Sequence, residues 1–399
     1  MKRITIIITA VILILSSCTP KESMDDIIAR VFSVAEQQYM EMDSRLTDKT
    51  LPRTIAANGK FEPSGIRWWC SGFYPGSLWY IYEYTNNDKI KELADKNTLK
   101  LDSVKNITND HDVGFQLNCS YGNAYRLTGN EAYKEVLHKG SQSLATRFNL
   151  NTGVIRSWDF VRKGRDWKYP VIIDNLMNLE LLMSVSKMYA DDSLRHIACS
   201  HANTTIQNHF REDYTSYHLV DYDPENGSVR SKQTVQGFAD SSAWSRGQAW
   251  ALYGYTMMFR MTDYQNYLLQ ARNIGDMLLK RLPADGIPYW DFDAPVEKDT
   301  YRDASAGAIM ASAFIELSKY VPEVEAKQTY LAMAEKQIRT LASDEYLAKP
   351  GTNCNFILKH SVGSLPDNNE MDVPLSYADY YFLEALIRYK EVLSSDKSK

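Results

Sequence analysis

Apolar residues return every three to four positions from residue 25 nearly to the end of the chain, and that period dictates helices rather than strands. The periodic stretches are expected over 25–46, 74–86, 88–105, 111–127, 130–148, 170–189, 192–211, 241–260, 264–281, 304–320, 323–344 and 376–394. Alternation is brief and rare, as in Gly286-Ile287-Pro288-Tyr289-Trp290. The fold class is therefore all-α. Several joints are very short, such as Leu127-Thr128-Gly129-Asn130 and Met261-Thr262-Asp263-Tyr264, and short joints make antiparallel neighbours. The even-numbered stretches are apolar all round, as in Val171-Ile172-Ile173-Asp174-Asn175-Leu176-Met177, and read as an inner ring. The odd ones carry charge, as at Glu325, Lys327, Glu335, Lys336 and Arg339, and suit an outer ring. About twelve helices in six hairpins predict an (α/α)6 barrel. A tetratricopeptide-like array is the rival architecture, but no repeat of about 34 residues is present.

The chain opens with Met1-Lys2-Arg3, an apolar run from Ile4 to Leu15, and Ser16-Ser17-Cys18. A charged start, a short greasy core and a small-residue exit describe an export signal, and the run is too short for a permanent membrane span. Residues 1–18 are thus read as a lipoprotein signal peptide with Cys18 as the lipidated residue, 19–24 as a tether, and 25–399 as a single catalytic domain. The expected location is the periplasm or the outer membrane, with the membrane touched only through the lipid. No linker interrupts the chain, and at 44% apolar residues a large core can form. A net charge of −5 speaks against nucleic acid or a long polyanion held on a broad basic face, so an anionic ligand needs a few local groups. Cys70, Cys119, Cys199 and Cys354 show no CxxC spacing and are expected to be buried free thiols, and neither a metal nor a cofactor is expected.

The unusual residues fall at or just before the starts of the even helices. These openings read Trp68-Trp69-Cys70-Ser71-Gly72-Phe73, Asn109-Asp110-His111-Asp112-Val113-Gly114-Phe115, Asp174-Asn175, Ser242 through Arg246 to Trp250, Asp303 to Gly307, and Ser376 to Tyr380. In a barrel of this kind six inner N-termini ring one mouth, where free N–H groups and partial positive charge favour a carboxylate ligand. With 8 Trp and 26 Tyr in the chain, several in these openings, flat faces for sugar rings are at hand.

Ordinary helix caps explain some of the same residues. Asp303 and Ser305 read as N-caps, and Asp112 is also placed to be one. Asp174 stands within an apolar run, where a lone carboxylate is costly unless paired or functional. Two carboxylates in one aromatic mouth suit sugar chemistry, one as proton donor and one as stabiliser or water activator. His196, His201 and His209 share one predicted outer helix and read as surface histidines, their spacing setting no metal face. Asp221 to Gly227 starts like a calcium loop, but the glycine comes one position late and Lys232 stands where the last glutamate belongs.

At His111-Asp112-Val113-Gly114-Phe115, Ile173-Asp174-Asn175-Leu176-Met177-Asn178 and Trp244-Ser245-Arg246-Gly247-Gln248-Ala249-Trp250 the chain resembles the unsaturated glucuronyl hydrolases of glycoside hydrolase family 88, from about residue 30 to 392. The resemblance implies an (α/α)6 barrel that takes a 4,5-unsaturated uronate from the non-reducing end of oligosaccharides left by polysaccharide lyases. The implied reaction hydrates the ring's vinyl ether, with a proton to C4 and water to C5, and the resulting hemiketal opens. By the same resemblance Asp174 is the general acid/base and Asp112 the second essential carboxylate. His218, Gln236, Arg246 and Trp250 match substrate-binding positions, Trp69 a stacking residue, and His111 a neighbour of the site. Arg246 also fits as a carboxylate partner on its own chemistry. Two other readings stand beside this one: an unsaturated rhamnogalacturonyl hydrolase acting on pectin fragments, and a lipid-anchored glycan-binding protein without activity.

Overall fold

The computed structural model describes residues 22–397, so the expected leader and Cys18 lie outside the described residues. Within that span twelve helices follow in order: α1 Met24–Asp43, α2 Phe73–Thr85, α3 Asp88–Leu99, α4 113–128, α5 Glu131–Ala145, α6 Asn175–Tyr189, α7 Asp192–His209, α8 Ser245–Thr262, α9 Gln265–Arg281, α10 Ala304–Ser318, α11 Val324–Leu341 and α12 Ser376–Lys397. One π turn, Asn118–Gly122, interrupts α4. Helix α1 starts just before the expected 25. Ser23 caps α1 through a bond from Asp26 N, and the Glu22 carboxylate and carbonyl accept from Arg30 and Arg339.

The even helices close a ring, α2 packing on α4, α4 on α6, α6 on α8, α8 on α10, α10 on α12, and α12 back on α2. Every residue of α10 is buried, as is α8 from Ser245 to Phe259, so these helices are sheathed on all sides. Outer α5 instead buries one stripe, Tyr133, Val136, Leu137, Gly140, Ser141 and Leu144, at the spacing of a single helix face. The result is the (α/α)6 barrel that the periodicity predicts.

Inner helices hand over to outer ones through two-residue turns at four of the five joints, and α12, the last helix, pairs with α1 from the other end of the chain. A left-handed residue ends the inner helix, Asn86 (φ 53°), Gly129 (φ 65°), Ala190 (φ 53°) or Asp263 (φ 61°), and one further residue separates it from the outer helix. Asn87, Asn130 and Asp191 then cap the outer helices by accepting backbone N–H bonds. At the opposite end the outer-to-inner connections are long and carry the strands. These are β1 Thr50–Ile55 with β2 Phe61–Gly65, β3 Phe148–Asn149 with β4 Val154–Ile155, the three-stranded set β5 Tyr169–Ile172, β6 Leu219–Tyr222 and β7 Val229–Gln233, and β8 Ser361–Ser364 with β9 Asn369–Val373. All pair antiparallel.

The strands correct two readings of the sequence. Residues 170–174 are not the first turn of α6. Tyr169–Ile172 is strand β5, buried at every position, and an apolar run covered on both sides has no alternation to mark it. His201 and His209 are fully buried rather than at the surface, because strands cover their face of α7; Ile155 N donates to His201 Nδ1 at 3.0 Å, and His209 meets the Tyr222 ring edge-on at 6.5 Å. His196 is exposed as expected. The segment with the calcium-like start is the β6–β7 hairpin. All four cysteines within the described residues are free thiols, buried at Cys70 and Cys119 but only partly covered at Cys199 and Cys354.

The barrel interior is filled. Phe115 and Trp250 (5.1 Å) meet at a tilt, and Trp250 and Tyr381 (5.3 Å) and Tyr253 and Tyr381 (5.5 Å) meet edge to face, all buried. Towards the tight-turn end a buried ionic layer follows. Glu384 accepts from Tyr80 Oη (2.9 Å), Tyr253 Oη (3.0 Å) and Ser312 Oγ (2.5 Å), while Arg388 and Arg260 pair with Glu316 at 2.8 and 2.6 Å.

Candidate active site

The long connections and the inner N-termini meet at one mouth. Contacts between the helix starts establish this: Trp69 lies 4.8 Å from Tyr377, the Arg246 guanidinium 5.3 Å from the Tyr377 ring and 3.3 Å from Asp303, and Gly114 against Asn178. The starts of α2, α4, α6 and α8 have no side-chain cap, whereas Asp303 caps α10 by accepting from Ser305 N at 3.0 Å. The cap reading of Asp303 holds; Ser305 is not a cap but the second helical residue, whose N–H and hydroxyl donate to Asp303, and Asp112 makes no side-chain cap bond.

Asp174 sits where β5 ends and α6 begins. Ile173 N donates to His218 O at 2.9 Å, tying that junction to the start of β6 and setting the carboxylate at the inner wall of the mouth. The residue is 9% exposed, and its Oδ2 is buried with no hydrogen bond among the described residues. Burial pushes its pKa up to about 6, against the positive charge of Arg246. The Trp250 indole N–H is near enough to lower that value yet makes no well-formed hydrogen bond.

His218 faces this carboxylate, with Nε2 3.7 Å from Asp174 Oδ2. Val235 N and Gln236 N both donate to His218 Nδ1, at 3.1 and 3.2 Å. Burial and the charge of Arg246 keep the ring neutral, so its single proton belongs on Nε2, the nitrogen turned to Asp174. The ring is wedged between Trp244 (4.6 Å) and the edge of Trp158 (6.3 Å).

Asp112 opens α4 beside it. Burial, with the negative charges of Asp110 and Asp174, holds its carboxyl well above the usual range. The mutual repulsion places the Asp112 and Asp174 carboxylates in one electrostatic site. His111 Nε2 is 3.5 Å from Asp112 Oδ1, and its Nδ1 pairs with Asn178 Nδ2 at 3.3 Å; burial drops its pKa to about 3. Asn178 also accepts from Phe115 N at 2.7 Å, which locks α4 to α6 directly behind the two acids. Asp110, His111 and Asp112 offer ligand atoms within 4.8 Å of one another, the tightest such group among the described residues. An ion there would sit on the carboxylate assigned to stabilising the sugar.

The other expected residues divide. Trp69 is partly buried and lies edge-on to Phe73 and Phe115, each at 5.7 Å, on the wall of the mouth. Trp250 is wholly buried beneath the acids. Gln236 Nε2 donates to Gly363 O at 3.1 Å. Arg246 is spent on the protein: its terminal nitrogens donate to Asp303, Val362 O and Gly363 O, and the guanidinium stacks on Trp244 at 4.4 Å. At 2% side-chain exposure it acts on Asp174 through its charge and clamps β8 to the barrel, and it offers no open fork to a ligand.

Several site residues were missed in the sequence. Arg147, Trp158 and Phe160 come from connections, where no opening motif marks them, and Asn178 from the first turn of α6. Arg147 binds Thr108 O and Ser157 O and pairs with Asp159 at 3.0 Å, and its charge lowers the proton affinity of Asp112 and His111. Asn178 alone carried a sequence signal, its place one turn after Asp174.

A twelve-helix toroid that carries two buried carboxyl groups, Asp174 and Asp112, beside aromatic rings at one end defines an (α/α)6-barrel glycoside hydrolase. The sequence pattern of Glycosyl Hydrolase Family 88 matches residues 35–388, and the chain belongs to that family. It is 44% identical over 328 residues to an unsaturated glucuronyl hydrolase of Formosa agariphila, covering 82% of this chain and 80% of that protein. It is 33% identical over 359 residues to an unsaturated chondroitin disaccharide hydrolase of Streptococcus agalactiae, with 89% of each chain covered. The crystal structure of an unsaturated glucuronyl hydrolase specific for heparin superimposes with a TM-score of 0.89 at 45% identity, covering 93% of this chain and 98% of that one.

Proposed function

We propose that this enzyme removes a non-reducing-end 4,5-unsaturated uronic acid from lyase-generated acidic oligosaccharides, glycosaminoglycan disaccharides among them, by hydrating the vinyl ether. The observation that carries the reading is the state of Asp174, a buried carboxyl with a pKa near 6 beside a second carboxylate and a neutral imidazole. Such a group holds a proton to give and, once ionised, can take one back. Asp174 delivers its proton to C4 as water adds at C5, and the water's proton returns to Asp174. The hemiketal so formed opens and frees the remaining sugar. Asp112 supports the positive charge that develops on the ring. His218 Nε2–H steadies the Asp174 carboxylate while it is ionised. Family membership supports this chemistry over a silent glycan-binding protein, and the similarity to an unsaturated glucuronyl hydrolase and an unsaturated chondroitin disaccharide hydrolase supports it over the pectin reading.

The test is loss of the ultraviolet absorbance of unsaturated disaccharides. Wild type is expected to bleach it, and Asp174→Asn to do so at least ~100-fold more slowly, the usual scale for a general acid. Near-normal activity in Asp174→Asn would overturn the assignment. From Leu15-Ser16-Ser17-Cys18 we also propose export and anchoring through a lipidated Cys18. Cys18→Ser should then move the protein from the membrane fraction to the soluble one.

A further inference from the structure

The proposed substrate is acidic, and the residue expected to meet its charge, Arg246, is buried and committed to Asp303 and the β8 carbonyls. Arg147 is equally closed, 3% exposed and held by Asp159 and backbone carbonyls. Arg162 differs. It lies on the connection between β4 and β5, beyond Trp158 and Phe160, whose rings stack at 5.2 Å. Its guanidinium spans to the tip of the β8–β9 hairpin, where Nη1 and Nη2 donate to the two Asp367 oxygens at 2.7 and 3.1 Å. Both partners are open to solvent, at 37% and 36% exposure. The positive charge nevertheless reaches the site, since it lowers the proton affinity of His218. The hairpin bearing Asp367 is the one gripped by Arg246 and Gln236 through Gly363 O, and Ser364 Oγ donates to Asp367 at 2.7 Å.

A planar two-pronged donor at the mouth is thus occupied by a carboxylate of the protein's own, in a pair that water can reach and salt can screen. We infer that Arg162 is the substrate-binding residue that receives an anionic oxygen group of the oligosaccharide, its guanidinium exchanging Asp367 for that group. The group is either the carboxylate of the unsaturated uronate or a sulfate ester on the leaving sugar, which present the same pair of acceptor oxygens. This inference rests on the substrate class proposed above.

Equilibrium binding tests it independently of turnover. Unsulfated and singly sulfated unsaturated disaccharides are titrated into Asp174→Asn protein, alone and combined with Arg162→Gln, Arg162→Lys or Asp367→Asn. Arg162→Gln is expected to weaken binding roughly tenfold or more, the scale of a charge-assisted bond, and Arg162→Lys to restore part of it. Loss with the sulfated ligand alone assigns a sulfate, and equal loss with both assigns the uronate. Asp367→Asn frees the fork and should tighten binding. Dissociation constants within twofold of one another for Arg162→Gln and its parent would overturn the inference. So would Asp367→Asn weakening binding as much as Arg162→Gln, because the pair would then only clasp loop to hairpin. Turnover by wild type is scored separately, so failure of the proposed reaction is told apart from failure of this assignment.

Discussion

At the scale of single residues, the acid that does the chemistry is a liability to the fold. Asp174 has an ordinary pKa of 3.8 and a folded value of about 6, so the folded state binds its proton more tightly than the unfolded chain. The stability tied to that proton is complete below pH 4 and is lost as pH rises through 6. About two units at about 1.4 kcal/mol each amount to roughly 3 kcal/mol. Asp174→Asn should therefore unfold at a higher denaturant concentration than wild type at pH 8 and near the same concentration at pH 4. Equal midpoints at pH 8 would refute the buried-charge account. The same proton must be in place for catalysis, so kcat/KM should fall as pH rises past 6. Arg246→Gln removes the charge that restrains this shift and should move that limb to higher pH, which a pH profile would read directly. Asp112 and the cap Asp303 could be picked out of the sequence because each stands where an apolar helix begins, and Asp174 because it is a lone carboxylate within an apolar run. The spent state of Arg246 could not, because its partners Val362 and Gly363 lie more than a hundred positions away.

At the scale of elements, the site depends on how closely α4 meets α6. A methyl group on Gly114 would sit 2.5 Å from Asn178 Cα, closer than packed atoms approach, so Gly114→Ala should force the two helices apart. The expected cost is about 1–3 kcal/mol, read as a lower melting temperature, together with a loss of activity, because Asn178 also orients His111 and Phe115 N. Unchanged melting and kinetics would show that this contact yields easily. Helix count and placement were legible from periodicity because each helix buries either one face or its whole surface. The strands were hidden for the opposite reason. They are two to six residues long, several are buried on both faces, and β5 runs straight into the apolar start of α6. Propensity cannot separate a strand from a helical turn over so few residues, and tertiary contact with β6 decides it.

At the scale of the whole molecule, α12 closes the ring by packing on both α2 and α10. A chain ending at residue 375 leaves those faces bare and should lose its sharp thermal transition, while removal of the residues before Glu22 should leave it intact. Calorimetry on the two truncations checks both. The architecture could be read from the sequence because twelve helices with several short joints have few ways to close. The depth of the cavity could not, since it is set by where aromatic rings from different helices meet on the barrel axis. Those rings and the ionic layer beneath them fill the barrel axis behind Asp174, so among the described residues the acids are approached from the mouth. The ring to be opened must enter first and lie deepest, beside Asp174, and the sugar it is attached to stays nearer the entrance. The sugar must therefore leave before the uronate product can follow it. While that product waits, it occupies the seat beside Asp174 that a new chain end would take, so the released uronate, not the shortened sugar, is the product expected to compete with substrate.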